Sequence, residues 1–197
     1  MRTVYSGTVE LQEVVTDLAS SLISLDTCGK PWKHFQPGVG PYGEPQLLRY
    51  VAQSLNGLPA YGRTVQTRRT PDLLILGHWA IEFKLARPFG DNGKEAENWS
   101  VNLLHPYAGN VSLIGDSIKL LQLDGSERKA VVAIGYEHTP PRICLSTLFD
   151  AFEVIAREVV KVNLGTRIQL LRPGLCHPVH QQLVIAAWQV LPSKPSI

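Results

Sequence analysis

The sequence predicts a mixed α/β protein, with a central mixed sheet flanked by helices on both sides. Three observations predict it. Apolar residues recur at helical spacing in several segments. Other segments are short apolar runs bounded by turn residues, as buried strands are. The two kinds follow one another in the order α, loop, α, β, β, β, long loop, α, β, α, β, β, which suits a sheet covered on both faces.

The elements follow in chain order. Residues 8–25 place apolar side chains at 11, 14, 15, 18, 22 and 25, the stripe of an amphipathic helix. The segment 26–43, "DTCGKPWKHFQPGVGPYG", is rich in Gly and Pro and reads as a long loop. Pro45 suits the start of a helix, with Glu44 at its cap and Asn56-Gly57 at its end. "GRTVQTRRT" alternates like a strand. "PDLLIL" and "WAIEFK" read as two more, joined by a two-residue turn at Gly77-His78. Residues 86–111 form a long polar and aromatic segment. "SLIGDSIKLLQL" then reads as a helix, with Ser112, Asp116 and Lys119 sharing a face that is expected to meet solvent. "AVVAIGYE" reads as a buried strand. Thr147 and Asp150 resemble a capping pair, opening a helix that Gly165 closes. "TRIQLL" and "QQLVIAAWQVL" read as strands around "RPGLCHPVH", a turn with incidental histidines.

Bulk properties narrow the class. The chain has 197 residues, 44% hydrophobic and 18% charged, which fits one domain with a sizeable core. No apolar run is long enough for a membrane span, and the first residues lack the apolar stretch of a signal peptide. Three widely spaced cysteines do not suggest a disulfide framework, so a cytoplasmic protein is expected. The net charge is +2, unevenly spread: residues 28–94 carry nine bases against four acids. A local excess of this size suits a phosphate-bearing partner, and equally a solvated basic face. "GVGPYG" lacks the Gly-Lys-Ser/Thr end of a phosphate loop, so no nucleotide cofactor is expected.

The informative stretch is 69–88, "RTPDLLILGHWAIEFKLARP". Asp72 heads one apolar strand, and Glu82 and Lys84 interrupt the next. In a hairpin the ends distal to the turn meet, and Glu82 and Lys84, two apart, share a face. Two carboxylates and an ammonium then converge at one end of the sheet. Close carboxylates raise each other's proton affinity. A divalent cation with oxygen ligands, of the Mg²⁺ type, relieves that repulsion. The same residues would also make a cross-strand ion pair on an edge hairpin.

Pro71-Asp72 followed by Glu82-Phe83-Lys84, in a strand–turn–strand context, resembles the signature of the PD-(D/E)xK nuclease superfamily. The resemblance extends from the helix opening at Glu44 to "AVVAIGYE", about residues 40–137. It implies a restriction-endonuclease-like αβββαβ core within a single domain spanning 1–197. Residues 1–39 would be an N-terminal elaboration, and 138–197 a C-terminal helix and strands. It further implies a metal-dependent endonuclease acting on DNA, of type II restriction or other defence type. A structure-selective nuclease and a non-catalytic nucleic-acid-binding module are the alternatives. Asp72, Glu82 and the backbone carbonyl of Phe83 would hold Mg²⁺, for which Mn²⁺ substitutes. Lys84 would orient or deprotonate the attacking water, and Glu44 would serve a second metal or its water. Arg63, Arg68 and Arg69, ahead of Asp72, are candidate phosphate contacts. Arg87, Lys94, Asn98 and Trp99 are of types that read or stack on bases. A homodimer is expected, because two-fold symmetry is the simplest way to cut both strands of a duplex.

Overall fold

A computed structural model describes residues 8–107 and 111–192. Among them is a seven-stranded mixed sheet packed between two layers of helices. The predicted mixed α/β class with helices on both faces is therefore what the chain adopts.

Helix α1 (Leu11–Thr27) opens on Glu10, whose carboxylate and that of Glu13 form a reciprocal cap. Its stripe, Val14, Val15, Leu18 and Leu22, is fully buried. Helix α2 (Glu44–Asn56) starts one residue earlier than expected. Gly43 is its cap, and Glu44 is its first helical residue, ahead of Pro45. Strand β1 (Val65–Thr67) is shorter than "GRTVQTRRT" suggested, because its partner strand pairs with it only over Leu73–Ile75. Strands β2 (Leu73–Ile75) and β3 (Trp79–Ala86) pair antiparallel, with Ile75 opposite Trp79. The turn between them therefore has three residues, Leu76 to His78, not two. Leu76 is exposed, and Gly77 sits at φ +75, a conformation that favours glycine.

The 86–111 segment, apart from residues 108–110, which lie outside the described ones, contains a short bridge from Phe89 to Glu95 and a one-turn helix α3 (Val101–Leu104). Helix α4 (Leu113–Gln122) is capped by Ser112, whose hydroxyl accepts from Gly115 N–H. Strand β4 (Arg128–Glu137) runs parallel to β3, the pairing that needs such a long crossover. Helix α5 (Leu145–Val154) starts at Cys144, so Thr147 and Asp150 lie inside it and do not cap it. It widens into a π turn over Ile155–Val159, closed by Val160 N–H donating to the Ile155 carbonyl. The expected helix to 164 is thus cut short. Asn163 and Leu164 instead form strand β5 (Asn163–Leu164), and Gly165 N–H bonds the Gln189 carbonyl. Strands β6 (Ile168–Pro173) and β7 (Gln182–Leu191) complete the sheet, in the order β1-β2-β3-β4-β7-β5 with β6 also on β7.

The alternation of strand side chains divides the core. Leu73, Ile81, Phe83 and Val132 pack under α1 and α2. Leu74, Ala80, Val131, Ala133 and Trp188 pack under α4 and α5. Among the described residues, no helix is long and apolar enough to cross a membrane.

Candidate active site at the distal end of the hairpin

The three-residue turn sets the register that builds the site. With Leu73 opposite Ile81, the next pair outward is Asp72 opposite Glu82. A two-residue turn would have shifted every partner by one and turned one set of side chains to the other face. Directly opposed residues of an antiparallel pair point to the same side of the sheet. Asp72, Glu82 and Lys84 therefore all face the α4 layer, together with Leu74 and Ala80.

Asp72 caps the strand end, its Oδ2 accepting from Phe83 N–H at 2.9 Å. Glu82 is 2% exposed and hydrogen-bonds Asp72, while its Oε1 is buried without a partner. Burial, then the bond and charge of Asp72, push the Glu82 carboxyl up to about 9, so at neutral pH Glu82 holds the proton between the two. Glu44, entering from the first turn of α2, is pushed up to about 7. Burial is the chief cause, opposed by Lys84 and reinforced by Asp72 and Asp116. Burial would lower the proton affinity of Lys84, but Glu44, Asp116 and Asp72 outweigh it, so the net shift is upward and the ammonium form is held.

Lys84 is the hub. Its Nζ lies 2.7 Å from Asp116 Oδ2 and 4.0 Å from Glu44 Oε1, and it donates to the Phe83 carbonyl at 3.0 Å. Asp116, expected to meet solvent, is completely buried instead. Its other oxygen pairs with Lys119, one turn along α4. The signal for this was present in the sequence. Asp116 follows Leu113 by three residues and precedes Leu120 by four, so it belongs to the apolar stripe and not to the face opposite it.

The other candidates separate by position. Arg68 and Arg69 line a cleft of about 420 Å³ with Glu44 and Asp72, and Arg49 of α2 joins them there. Arg63 does not reach it. It precedes β1, level with the β2–β3 turn, where Leu76 N–H bonds the Thr64 carbonyl. Arg87 is committed internally, donating to the Gly40 carbonyl at 3.0 Å. Lys94 and Asn98 are exposed in the crossover, and Trp99 packs against the α4 and α5 layer. The "CHPVH" histidines are not incidental. His177 and His180 are 1% and 2% exposed and stack on each other.

Among the described residues, no three His, Cys, Asp or Glu side chains form a group set to hold a metal ion. Glu44 is drawn toward Lys84, and the Phe83 carbonyl accepts from that lysine. What the hairpin offers a hard cation is the Asp72 carboxyl group beside that of Glu82, with one buried oxygen of Glu82 lacking any hydrogen-bond partner. Oxygen donors of this type fit Mg²⁺ or Mn²⁺, which would replace the proton that Glu82 holds. No family model matches the chain, and neither does any curated protein or solved structure in the comparisons made.

Proposed function

We propose that this chain is a Mg²⁺-dependent DNA endonuclease with a restriction-endonuclease-like core, of restriction or other defence type. The observation that carries the reading is the register. It sets Asp72 opposite Glu82 and puts Lys84 on the same face two residues on, and Asp72 also lines a cleft with Glu44, Arg49, Arg68 and Arg69. The succession α2, β1, β2, β3, α4, β4 matches the αβββαβ order and supports the same reading.

Asp72 and Glu82 would hold the cation, with the Phe83 carbonyl available once Lys84 turns from it. The bound cation would supply Lewis acidity and a water of lowered pKa. Lys84, kept charged by its carboxylate neighbours, would orient that water and offset the charge gathering on the phosphate. Asp116 holds the Lys84 ammonium in place. Glu44, poised near neutrality, is placed to exchange a proton at the edge of the site. The arginines would position the phosphate backbone. A homodimer belongs to the same proposal, and Val154 and Val159, exposed at the end of α5, supply apolar surface for it.

The test is cleavage of plasmid and oligonucleotide DNA with Mg²⁺ or Mn²⁺, comparing wild type with Lys84→Ala and Asp72→Ala. Discrete fragments from wild type only are the expected result. Nicking or smearing would favour a structure-selective nuclease. No cleavage of any substrate, with no cation binding by calorimetry, would reduce the hairpin to a structural ion pair.

A further inference from the structure

We infer that the turn "PWKHFQP" (31–37), beside the acidic site, is a stacking platform for an unpaired nucleotide. This rests on the nucleic-acid reading of the site; a preference for DNA with unpaired bases near the point of attack would favour the structure-selective form of that reading over the restriction type.

The composition comes first. Between Asp26 and Glu44 the chain carries Lys30, Lys33 and His34 and no acid. Among the described residues, no carboxylate pairs with either lysine. Charge in this segment is thus left free for an anionic partner. Interleaved with it are the rings of Trp32, Phe35 and Tyr42.

The geometry is built. Pro31 and Pro37 bridge antiparallel, and Phe35 N–H donates to the Trp32 carbonyl at 3.1 Å, closing a tight turn with Lys33 at its tip at φ +56. Trp32 is half-buried, supported by Tyr42 at a ring distance of 5.0 Å, with the Lys33 ammonium 5.7 Å from its ring centre. Phe35, also half-buried, carries the exposed His34 ring at 4.4 Å. Aromatic rings with a cation over one of them combine the stacking surface and the charge that a splayed base and its phosphate require.

The mount lies outside the turn. The buried Asp26 carboxylate accepts from Val39 N–H at 2.9 Å and from Cys176 N–H at 2.8 Å. Gly40 presses so closely on His180 that a Cβ there would lie 2.1 Å from its Nδ1. The segment following the turn is therefore held by residues outside it, which lowers the entropic cost of binding. Its nearness to the site is set by the chain itself. Tyr42, whose ring meets that of Trp32, lies two residues from Glu44, a span of at most ~7 Å.

The experiment is fluorescence anisotropy in EDTA, where nothing is cut. The probes are fluorescein-labelled single-stranded DNA, its duplex, and the duplex with one unpaired nucleotide. Wild type should bind the single strand and the bulged duplex more tightly than the perfect duplex. Trp32→Ala/Phe35→Ala should weaken those two by about ten-fold or more and leave the duplex nearly unchanged. Lys30→Ala/Lys33→Ala should weaken all three and flatten the salt dependence. Equal binding of all three probes by wild type, or unchanged binding by the folded ring variant, overturns the inference. Should the ring variant not fold, 5-bromouracil at the unpaired position of the wild-type complex decides. Photo-crosslinks within 30–43 support the platform, and crosslinks elsewhere overturn it. Binding through the turn without cleavage in Mg²⁺ would keep this inference and remove the nuclease reading. Cleavage with no effect of the ring variant would do the reverse.

Discussion

At the scale of single residues, the site is held by charge in a place that does not favour charge. Glu82 keeps its proton first because it is buried, and then because of the bond to Asp72 and the charge of that neighbouring carboxylate. The folded state therefore binds more protons than the unfolded chain between pH about 4.5, the ordinary glutamate value, and about 9. Stability from this group is present below that window and is lost as pH rises through it. Glu82→Gln mimics the protonated form. In metal-free protein at pH 8 to 9 it should raise the melting temperature by a few degrees, on the scale of roughly 2–4 °C per kcal/mol. The same variant should abolish cation binding and cleavage. A fall in melting temperature across pH 5 to 9 that persists undiminished in the variant would contradict the assignment. Lys84 and Asp116 make the complementary case. Lys84→Met leaves a fully buried carboxylate with Lys119 as its one remaining ion-pair partner among the described residues, and should cost on the order of 3 kcal/mol in urea unfolding. Asp116→Asn should cost a similar amount. The double variant should cost clearly less than the sum, since the pair is removed together. Strict additivity would mean that the two side chains do not act on each other.

At the scale of elements, one turn decides what the site contains. Leu76 reads in the sequence as the last residue of an apolar strand, yet it is exposed and turns the corner with Gly77 and His78. Gly77 is needed there for its positive φ. Gly77→Val should lower stability by about 1–3 kcal/mol, since a β-branched residue is strained in that conformation. It should also reduce cation affinity, because the register that opposes Asp72 to Glu82 depends on the turn. Denaturation and calorimetry on the same variant check both. The elements also show what was legible and what was not. Glu82 and Lys84 stood out because charges two apart in an otherwise apolar strand break the pattern of a buried strand. Asp116 was missed because the Ser112, Asp116 and Lys119 spacing looks like a polar face, whereas Leu113 and Leu120 place Asp116 on the buried one. The end of α5 was misread for a different reason. Its apolar spacing continues, but β7 offers Asn163 and Leu164 a partner that helical periodicity cannot reveal. Likewise, nothing local in "CHPVH" tells that both histidines are buried, since Gly38 and Gly40, which pack on them, lie in a loop near the other end of the chain.

At the scale of the whole molecule, that histidine cluster ties distant parts of the chain together. Asp26 at the end of α1 holds both the 28–43 loop and Cys176. His180 Nε2 meets the Phe89 carbonyl at 2.9 Å, joining the start of β7 to the segment after β3. Arg87 joins the same segment to Gly40. The loop that leads into Glu44 is thus held by Asp26 and Arg87 and packs on His180 through Gly40. Burial above all, helped by the charges of His177 and Arg87, lowers the His180 pKa to about 4, with the Phe89 bond and Asp91 opposing. A group whose folded pKa is depressed contributes stability above its unfolded value, here 6.5, and that stability is lost as pH falls toward about 4. The amount is on the order of 3 kcal/mol. The acidic site has the opposite slope, losing stability as pH rises toward about 9. Glu44, raised to about 7, adds to that slope between pH about 4.5 and 7. Below pH 6.5 the His180 gain is therefore outweighed, and the metal-free protein should lose stability as pH rises from about 4.5 toward 9. Urea unfolding from pH 4 to 9 should show that fall. His180→Asn should steepen it between pH about 4.5 and 6.5 and leave it unchanged above 7. Saturating Mg²⁺ should lift stability at the alkaline end, because the cation replaces the proton that Glu82 would otherwise lose. If Mg²⁺ left the alkaline end unchanged, the acidic hairpin would not be a cation site. If His180→Asn left the slope below pH 6.5 unchanged, burial would not depress the His180 pKa in the folded chain.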